Sequence, residues 1–383
     1  MHVPVIAAFL LFGLTAASCS GSQVAPSSCG QPGQWLVPDA AQAQPAEPRT
    51  VLERMARQQV VLLGETHDSA EDHRWQLHTL TQLHAQQPRL AIGFEMFPRR
   101  VQPVLDQWVA GGLSEAEFLQ RSEWEKVWGF DARDYLPLFH FARMNLIPML
   151  ALNVERSLIE AVGKQGWEAV PAMQKEGVSK PAAPSAAYRK ELRAVFDHHP
   201  VKERGEAAFP RFLETQTTWD RAMAQVMAEY LQKTPGALVV GIMGAGHVRN
   251  GHGVPHQLKD LGVGQAGILL TRDRGESCAA LGKGYADALY LVESPMSNPP
   301  RLGVATEQEK EGLRIKQVIA GSIAEAAGLK GGDLILEVAG QPAKSILTLR
   351  AAVQRQTPGT WLPLKIRRGG EELEIVARFP LGS

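Results

Sequence analysis

Four short apolar runs in this chain of 383 residues end on polar side chains. Val60-Val-Leu-Leu-Gly runs into Glu65-Thr-His67-Asp68, and Leu90-Ala-Ile-Gly-Phe runs into Glu95. Ile147-Pro-Met-Leu-Ala-Leu ends at Asn153, and Ala237-Leu-Val-Val-Gly-Ile-Met-Gly-Ala-Gly runs into His247. Glu65, His67, Asp68, Glu95 and His247 are therefore expected to line one crevice. Three chemistries suit them. Imidazole and carboxylate together ligate iron, zinc or manganese, which makes Glu65, His67, Glu95 and His247 candidate metal ligands. A Glu–His pair can instead activate water, with a second His as acid or electrophile. All five residues are then catalytic candidates. The set could also grip a ligand without turning it over. Each residue has a structural reading too: Asp68 or Ser69 could cap the following helix, and a lone strand-end His is commonly just hydrogen-bonded. Gly64, Gly93, Gly244 and Gly246 leave the backbone open beside the set, as a close-approaching ligand requires. No His-Glu-x-x-His and no serine-nucleophile elbow occur, and three cysteines are too few for a structural zinc site.

Short apolar runs bounded by polar residues read as buried parallel strands. In an open α/β sheet the ligand crevice lies outside the carboxyl ends of such strands. Between the runs, periodic segments at 71–87, 101–109, 115–119 and 135–144 read as helices. The alternation predicts a mostly parallel sheet flanked by helices. From Val154 to Glu206 the pattern loosens around Pro181-Ala-Ala-Pro-Ser and His198-His-Pro, which reads as a mostly helical insertion. A long helix follows over 206–233, with Phe212, Trp219, Met223 and Met227 near one face. Two further strands are expected at 266–270 and 286–292.

Forty Lys+Arg balance forty Asp+Glu. That balance argues against nucleic acid as a partner and against electrostatic attachment to a membrane. The segment from Val3 to Ala17 is apolar or small and shorter than the about 20 residues a spanning helix needs. It fits the core of a signal peptide. Cys19 follows Ala16-Ala-Ser and resembles a lipobox cysteine, although the preceding segment has no Lys or Arg and Ala16 stands where Leu is usual. Simple secretion with cleavage near Ser18 is the alternative. With lipidation at Cys19, contact with the membrane would be through the lipid anchor alone, and Ser20 would favour the outer membrane. Residues 20–49, rich in Ser, Pro, Ala and Gln, read as a tether in which Trp35-Leu-Val is expected to form a short ordered entry. Whether Cys29 and Cys278 pair is left open.

The Ser294–Pro300 break marks a linker at 294–300. Beyond it, Val318-Ile-Ala-Gly-Ser-Ile-Ala-Glu-Ala-Ala-Gly-Leu-Lys-Gly-Gly-Asp-Leu-Ile-Leu-Glu-Val-Ala-Gly-Gln-Pro closely resembles a bacterial PDZ domain, placed at 301–381. That resemblance implies a small β-sandwich or barrel with two helices. Leu302, Gly303 and Val304 then form the loop that receives a peptide carboxylate, and a helix at 345–354 forms the opposite wall. Binding would be by strand addition, to a peptide C-terminus or an exposed strand of an envelope protein.

The first body, 50–293, resembles the ChaN-like iron-regulated lipoproteins. Six motifs agree in order: Gly64-Glu-Thr-His-Asp68, Gly93-Phe-Glu-Met-Phe97, Trp128-Gly-Phe-Asp with Tyr135, Ala151-Leu-Asn153, Trp219-Asp-Arg-Ala-Met223 and Gly244-Ala-Gly-His247. The resemblance implies a haem-binding envelope lipoprotein tied to iron acquisition, facing the periplasm behind a signal peptide at 1–19. The resemblance leaves open whether a second copy of the chain completes the haem site, and so whether the protein is a homodimer. The wider superfamily looks related to erythromycin esterases and membrane-tethered metalloproteases, which keeps a hydrolase reading, metal-assisted or His/Glu-dependent, in play. A third reading is a non-catalytic envelope adaptor. The candidate axial ligands are His67, Tyr135 and His247, with Met96 beside Glu95 and His198-His199 in the insertion. No Cys-x-x-Cys-His is present, so any haem would be held non-covalently.

Overall fold

A computed structural model describes residues 29–39, 43–198, 205–274, 276–277, 281–293 and 300–381. The expected signal peptide, Cys19, Cys278 and most of the linker lie outside the described residues. Cys29 is disulfide-bonded. Among the described residues no helix is long and apolar enough to cross a membrane.

The chain begins with β1 (Trp35–Val37), β2 (Gln44–Ala46), α1 (Pro48–Met55), β3 (Val60–Glu65), α2 (Ala70–Gln86) and β4 (Leu90–Pro98). Four helices follow, α3 (Gln102–Val109), α4 (Glu115–Arg121), α5 (Trp124–Val127) and α6 (Ala132–Met144), leading to β5 (Met149–Asn153). Then come α7 (Arg156–Gln165), α8 (Ala186–His198), α9 (Phe209–Lys233), β6 (Leu238–Gly244), α10 (Val254–Asp260), β7 (Ala266–Asp273) and β8 (Ala288–Val292). The strands form one eight-stranded sheet in the order β2-β1-β8-β7-β3-β6-β4-β5. From β8 to β5 every neighbour is parallel. The sheet is the expected one.

Both faces of the sheet are covered, so the central strands are apolar throughout. Along β3, Val61 and Leu63 join the core under α1, α2, α3 and α6, while Val60 and Leu62 join the core under α9 and α10. Each fully buried aliphatic side chain contributes about 1.5–3 kcal/mol by leaving water. The same alternation decides where the strand-end carboxylates go. Glu65 continues the face of Val61 and Leu63, whereas Glu95 continues the face of Ala91 on β4. The two glutamates thus leave the sheet on opposite sides.

The stretch read as a tether is partly structure. β1 pairs antiparallel with β8, and Trp35, 2% exposed, packs its ring on Trp75 and Tyr290. The ordered entry expected at Trp35-Leu-Val is this three-residue strand, held between β2 and β8 and steadied by that aromatic contact. α1 then starts at Pro48, a residue suited to a first helical turn.

The second sheet contains β9 (Val304–Gln308), β10 (Leu313–Val318), β11 (Leu334–Val338), β12 (Gln341–Pro342), β13 (Trp361–Arg368) and β14 (Glu371–Arg378). Its order is β14-β13-β11-β10-β9, with β12 on β11, and all its pairs are antiparallel. Two helices, α11 (Ile323–Ala326) and α12 (Ile346–Gln354), close it over a core of Leu313, Ile315, Ile335, Leu349, Val353 and Ile366.

Candidate functional site

β3, β6, β4 and β5 lie side by side, so their carboxyl ends open on one crevice. Glu65 is 3% exposed at the end of β3. Its Oε1 accepts hydrogen bonds from Tyr135 Oη at 2.7 Å and His67 Nδ1 at 2.9 Å, and its Oε2 from Gln76 Nε2 at 2.8 Å. His73 adds a nitrogen 3.5 Å from Oε2. A carboxylate so surrounded by donors is held in one orientation. It in turn fixes His67 with its proton on Nδ1, leaving Nε2 with a lone pair. That carboxylate–imidazole arrangement is how proteins orient a metal-ligating His and raise its basicity. Burial opposes the charging of His67, but the bond to Glu65 and the charge of Glu95 outweigh it and raise its pKa.

The second arm is more buried. His247 sits in the turn Ala245–His247 after β6, with Nδ1 2.6 Å from Asp220 Oδ1 and Nε2 3.4 Å from Glu95 Oε1. Glu95 Oε2 also accepts the Gly244 backbone N–H at 2.7 Å, and Asp220 Oδ2 accepts the Tyr188 hydroxyl at 2.9 Å. Burial works against the charged forms, yet the Glu95 and Asp220 carboxylates push His247 up to about 10. Burial likewise opposes ionisation of Glu95, but the His247 charge holds it down at about 2. His247 is thus an imidazolium welded between two strand-end and helix carboxylates.

Gly244 lets the arms meet. A Cβ there would stand 2.9 Å from His67 Cε1 and 3.2 Å from Nε2, so a side chain would displace the ring. Above His67 lies a cavity of about 420 Å³, within the ~300–1,000 Å³ usual for small-molecule sites. Met96, Val127, Trp128, Phe130, Val154 and Trp219 supply apolar wall, while Arg156 and the ion-paired Arg100 (to Glu155 and Glu123) and Lys126 (to Glu123) stand at the rim. The Trp128 and Phe130 rings pack on the His67 imidazole at centroid distances of 4.7 and 5.4 Å.

His67, Glu95 and His247 thus reach the cavity wall, together with Asn153, whose amide donates to the Glu95 carbonyl at 2.9 Å. Glu65 stands behind His67. Asp68 points away and bonds Arg350 of the second domain; the cap of α2 is Ser69, which accepts from the Asp72 N–H. Tyr135 is fully buried, its hydroxyl donating to Glu65, and burial beside that carboxylate raises its pKa well above the ordinary phenol value. In this arrangement it supports the site from below and does not face the cavity. His198 bonds the Ala194 carbonyl at the end of α8 and is not a cavity wall; His199 lies outside the described residues. Among the described residues no group of three or more His, Cys, Asp or Glu is disposed to hold a metal ion. Glu65 directs its oxygens at His67, Tyr135 and Gln76, while Glu95 and His247 direct their polar atoms at each other, at Gly244 and at Asp220. Asp220 was read only inside the motif Trp219-Asp-Arg-Ala-Met223, without a role, and Tyr188 was not singled out. The available signal was a charged residue on the buried stripe of α9, directly after Trp219.

The donor set fits haem: one imidazole nitrogen at an apolar cavity, with cations at the rim for propionate groups. In the second domain, Leu302, Gly303 and Val304 line an apolar groove between β9 and α12.

Residues 300–377 match the PDZ domain family. Curated relatives match over short stretches, 17–24% of this chain. The magnetosome formation protease MamE of Magnetospirillum gryphiswaldense is 42% identical over 67 residues, 17% of this chain and 9% of that protein. The periplasmic pH-dependent serine endoprotease DegQ of Escherichia coli is 35% identical over 66 residues, 17% of this chain and 14% of that protein. The chain therefore spans well under a quarter of either relative. Among solved structures, ChaN of Campylobacter jejuni, described with cofacial haem binding, shares the fold at a TM-score of 0.52 and 18% identity, covering 67% of this chain and 96% of that one. Residues 51–258 match the family described as "Haem-binding uptake, Tiki superfamily, ChaN", and the chain belongs to that family, with a PDZ domain following its ChaN-like haem-binding domain.

Proposed function

We propose that the protein is a haem carrier of a bacterial cell envelope, in which His67 would hold the haem iron and the PDZ domain brings the carrier to an envelope partner. The observation that carries this reading is the single imidazole with its Nδ1 on a buried, fully bonded carboxylate and its other nitrogen at an apolar, cation-rimmed cavity. When bound, haem supplies an iron with axial positions open to protein ligands. The chain's own residues do the rest. Glu65, steadied by Tyr135 and Gln76, fixes the His67 tautomer; Trp128 and Phe130 hold the ring from the side; Arg100, Lys126 and Arg156 offer charge for the carboxylates of the ligand. The carrier unit would be 50–293 and the docking unit 301–381. Lipidation at Cys19 and an outer-membrane address belong to this proposal. That DegQ, similar in its PDZ part, is a periplasmic protease supports an envelope location.

The test is absorption titration of the soluble form, from Ser20 onward, with hemin. A saturable Soret shift in the wild type that is lost in His67→Ala supports the reading; equal binding by His67→Ala removes His67 from it. One observation favours a second reading. The site holds Glu65, Glu95 and Asp220, more carboxylates than a haem slot needs, and the Glu65–His67 pair beside His247 is an arrangement that suits a general base beside an acid. Absence of a hemin shift, with an esterase or peptidase activity lost in both Glu65→Gln and His67→Ala, would replace the carrier by a hydrolase.

A further inference from the structure

One helix of the PDZ domain, α12, faces two binding sites at once. One side of it walls the groove. Leu302, Ile319, Leu349 and Val353 line an apolar trough of about 440 Å³ opposite the edge strand β9. Among the described strands β9 pairs only with β10, so its outer edge offers backbone groups to an added strand. Ile319 and Ile346 stay 56% and 48% exposed at the lips, which suits an apolar side chain as occupant. Gly303, at φ +85°, has Ser322 Cβ 2.2 Å from where its own Cβ would stand, so the loop at the groove's end tolerates no side chain there.

The other side of α12 and the residue after it lie on the ChaN-like domain. Arg355 reaches Asp131 at 2.9 Å and Asp134 at 3.0 Å, and Arg350 reaches Asp68 at 3.0 Å. Leu347 packs on Gly129, where an added Cβ would come within 2.9 Å of it. Every one of these contacts falls on a segment that frames His67. Asp68 is the next residue in the chain, and Gly129 lies between Trp128 and Phe130, whose rings rest on the imidazole. Arg350 itself lines both the groove and the contact between domains.

We propose that the groove, filled by a polypeptide C-terminus ending in an apolar residue, and the His67 cavity are coupled through α12. A chain entering between β9 and α12 changes the spacing of the two. The 128–134 segment, joined to α12 by Leu347 and Arg355, follows, and with it the aromatic wall of the cavity. The ion pairs are exposed and individually weak, so the joint is one that an occupant can shift. Coupling between two sites is reciprocal: each ligand changes the other's affinity by the same factor. The identity of the cavity ligand rests on the haem reading above; the mechanical link does not.

The test uses the full soluble chain and labelled decapeptides ending in Val, Leu or Phe. Hydrogen exchange of residues 128–134 is followed with and without peptide, in the wild type and in Leu347→Ala/Arg355→Ala, neither of which lines the groove. The proposal expects peptide to change exchange at 128–134 severalfold in the wild type and not in the double variant, which still binds peptide. It also expects saturating peptide to change the hemin Kd by about threefold or more, with the peptide Kd changing by the same factor when hemin is bound. A peptide that binds and leaves exchange at 128–134 unaltered overturns the proposal, as does failure of all three peptides to bind. If exchange responds while hemin does not bind at all, the coupling stands and the haem reading falls.

Discussion

Two histidines follow strand ends at the same edge of one sheet, and they do opposite things. His67 has one nitrogen on Glu65 and a side chain 32% exposed to the cavity. His247 has both nitrogens on carboxylates and a side chain only 13% exposed. The residue type and the address in the fold are shared; the number of acidic partners differs. An imidazole with a nitrogen left over can ligate or take a proton. One gripped from both sides joins β4, α9 and the end of β6 into a rigid floor. The alternation of the strands produces the difference, since Glu65 and Glu95 leave the sheet on opposite faces.

Replacing each histidine separates the two roles. His67→Ala should weaken hemin binding by more than the ~10–100-fold that loss of an outer-shell partner costs, read from the Soret band. Its urea midpoint should hardly move. His247→Ala should do the reverse: leaving Glu95 and Asp220 buried without their cation should cost about 3–5 kcal/mol of stability, while the protein that remains folded still binds hemin. If His247→Ala unfolds no more easily than His67→Ala, the comparison collapses.

The pH dependence of stability sharpens the same contrast. Glu95 is depressed from 4.5 to about 2, so its contribution is present above pH 4.5 and fades as the pH falls towards 2. His247 is raised from 6.5 to about 10, so its contribution is complete below pH 6.5 and fades as the pH rises towards 10. The difference in melting temperature between wild type and His247→Ala should therefore be widest between pH 4.5 and 6.5 and narrow on both sides. A difference that stays flat from pH 3 to 9 would show that the pair is not charged in the fold.

A smaller effect is expected at Tyr135. Tyr135→Phe removes one donor to Glu65 and should cost about 1 kcal/mol of stability, with hemin affinity falling a few-fold. Complete loss of hemin binding would instead make the phenol a ligand. The smallest effect belongs to Arg355→Ala, whose exposed ion pairs should contribute under about 1 kcal/mol, seen as a nearly unchanged urea midpoint.

The sequence made the sheet legible because its inner strands are covered on both faces and are therefore apolar without alternation. It also marked the crevice, since a polar residue ending such a run has only the carboxyl edge to occupy. Partnership was harder to read. Asp220 lies within the helical spacing of α9 and meets His247 only because that helix crosses the sheet end. Tyr135 was a candidate ligand by type, but the rotation of α6 turns its hydroxyl to Glu65. Trp35-Leu-Val was legible as a short ordered entry, but not the rings it packs on, Trp75 and Tyr290, which lie far along the chain. Arg350 and Asp68 are 282 residues apart, and no local pattern announces such a pair.

The central claim is that His67 alone presents a nitrogen to the ligand. Its most direct test is the spectrum of hemin bound to His67→Ala in the presence of free imidazole. The account predicts that His67→Ala loses the wild-type Soret band and that added imidazole restores it, whereas His247→Ala keeps that band without rescue. A wild-type spectrum in His67→Ala without imidazole, or its loss in folded His247→Ala, would contradict the account.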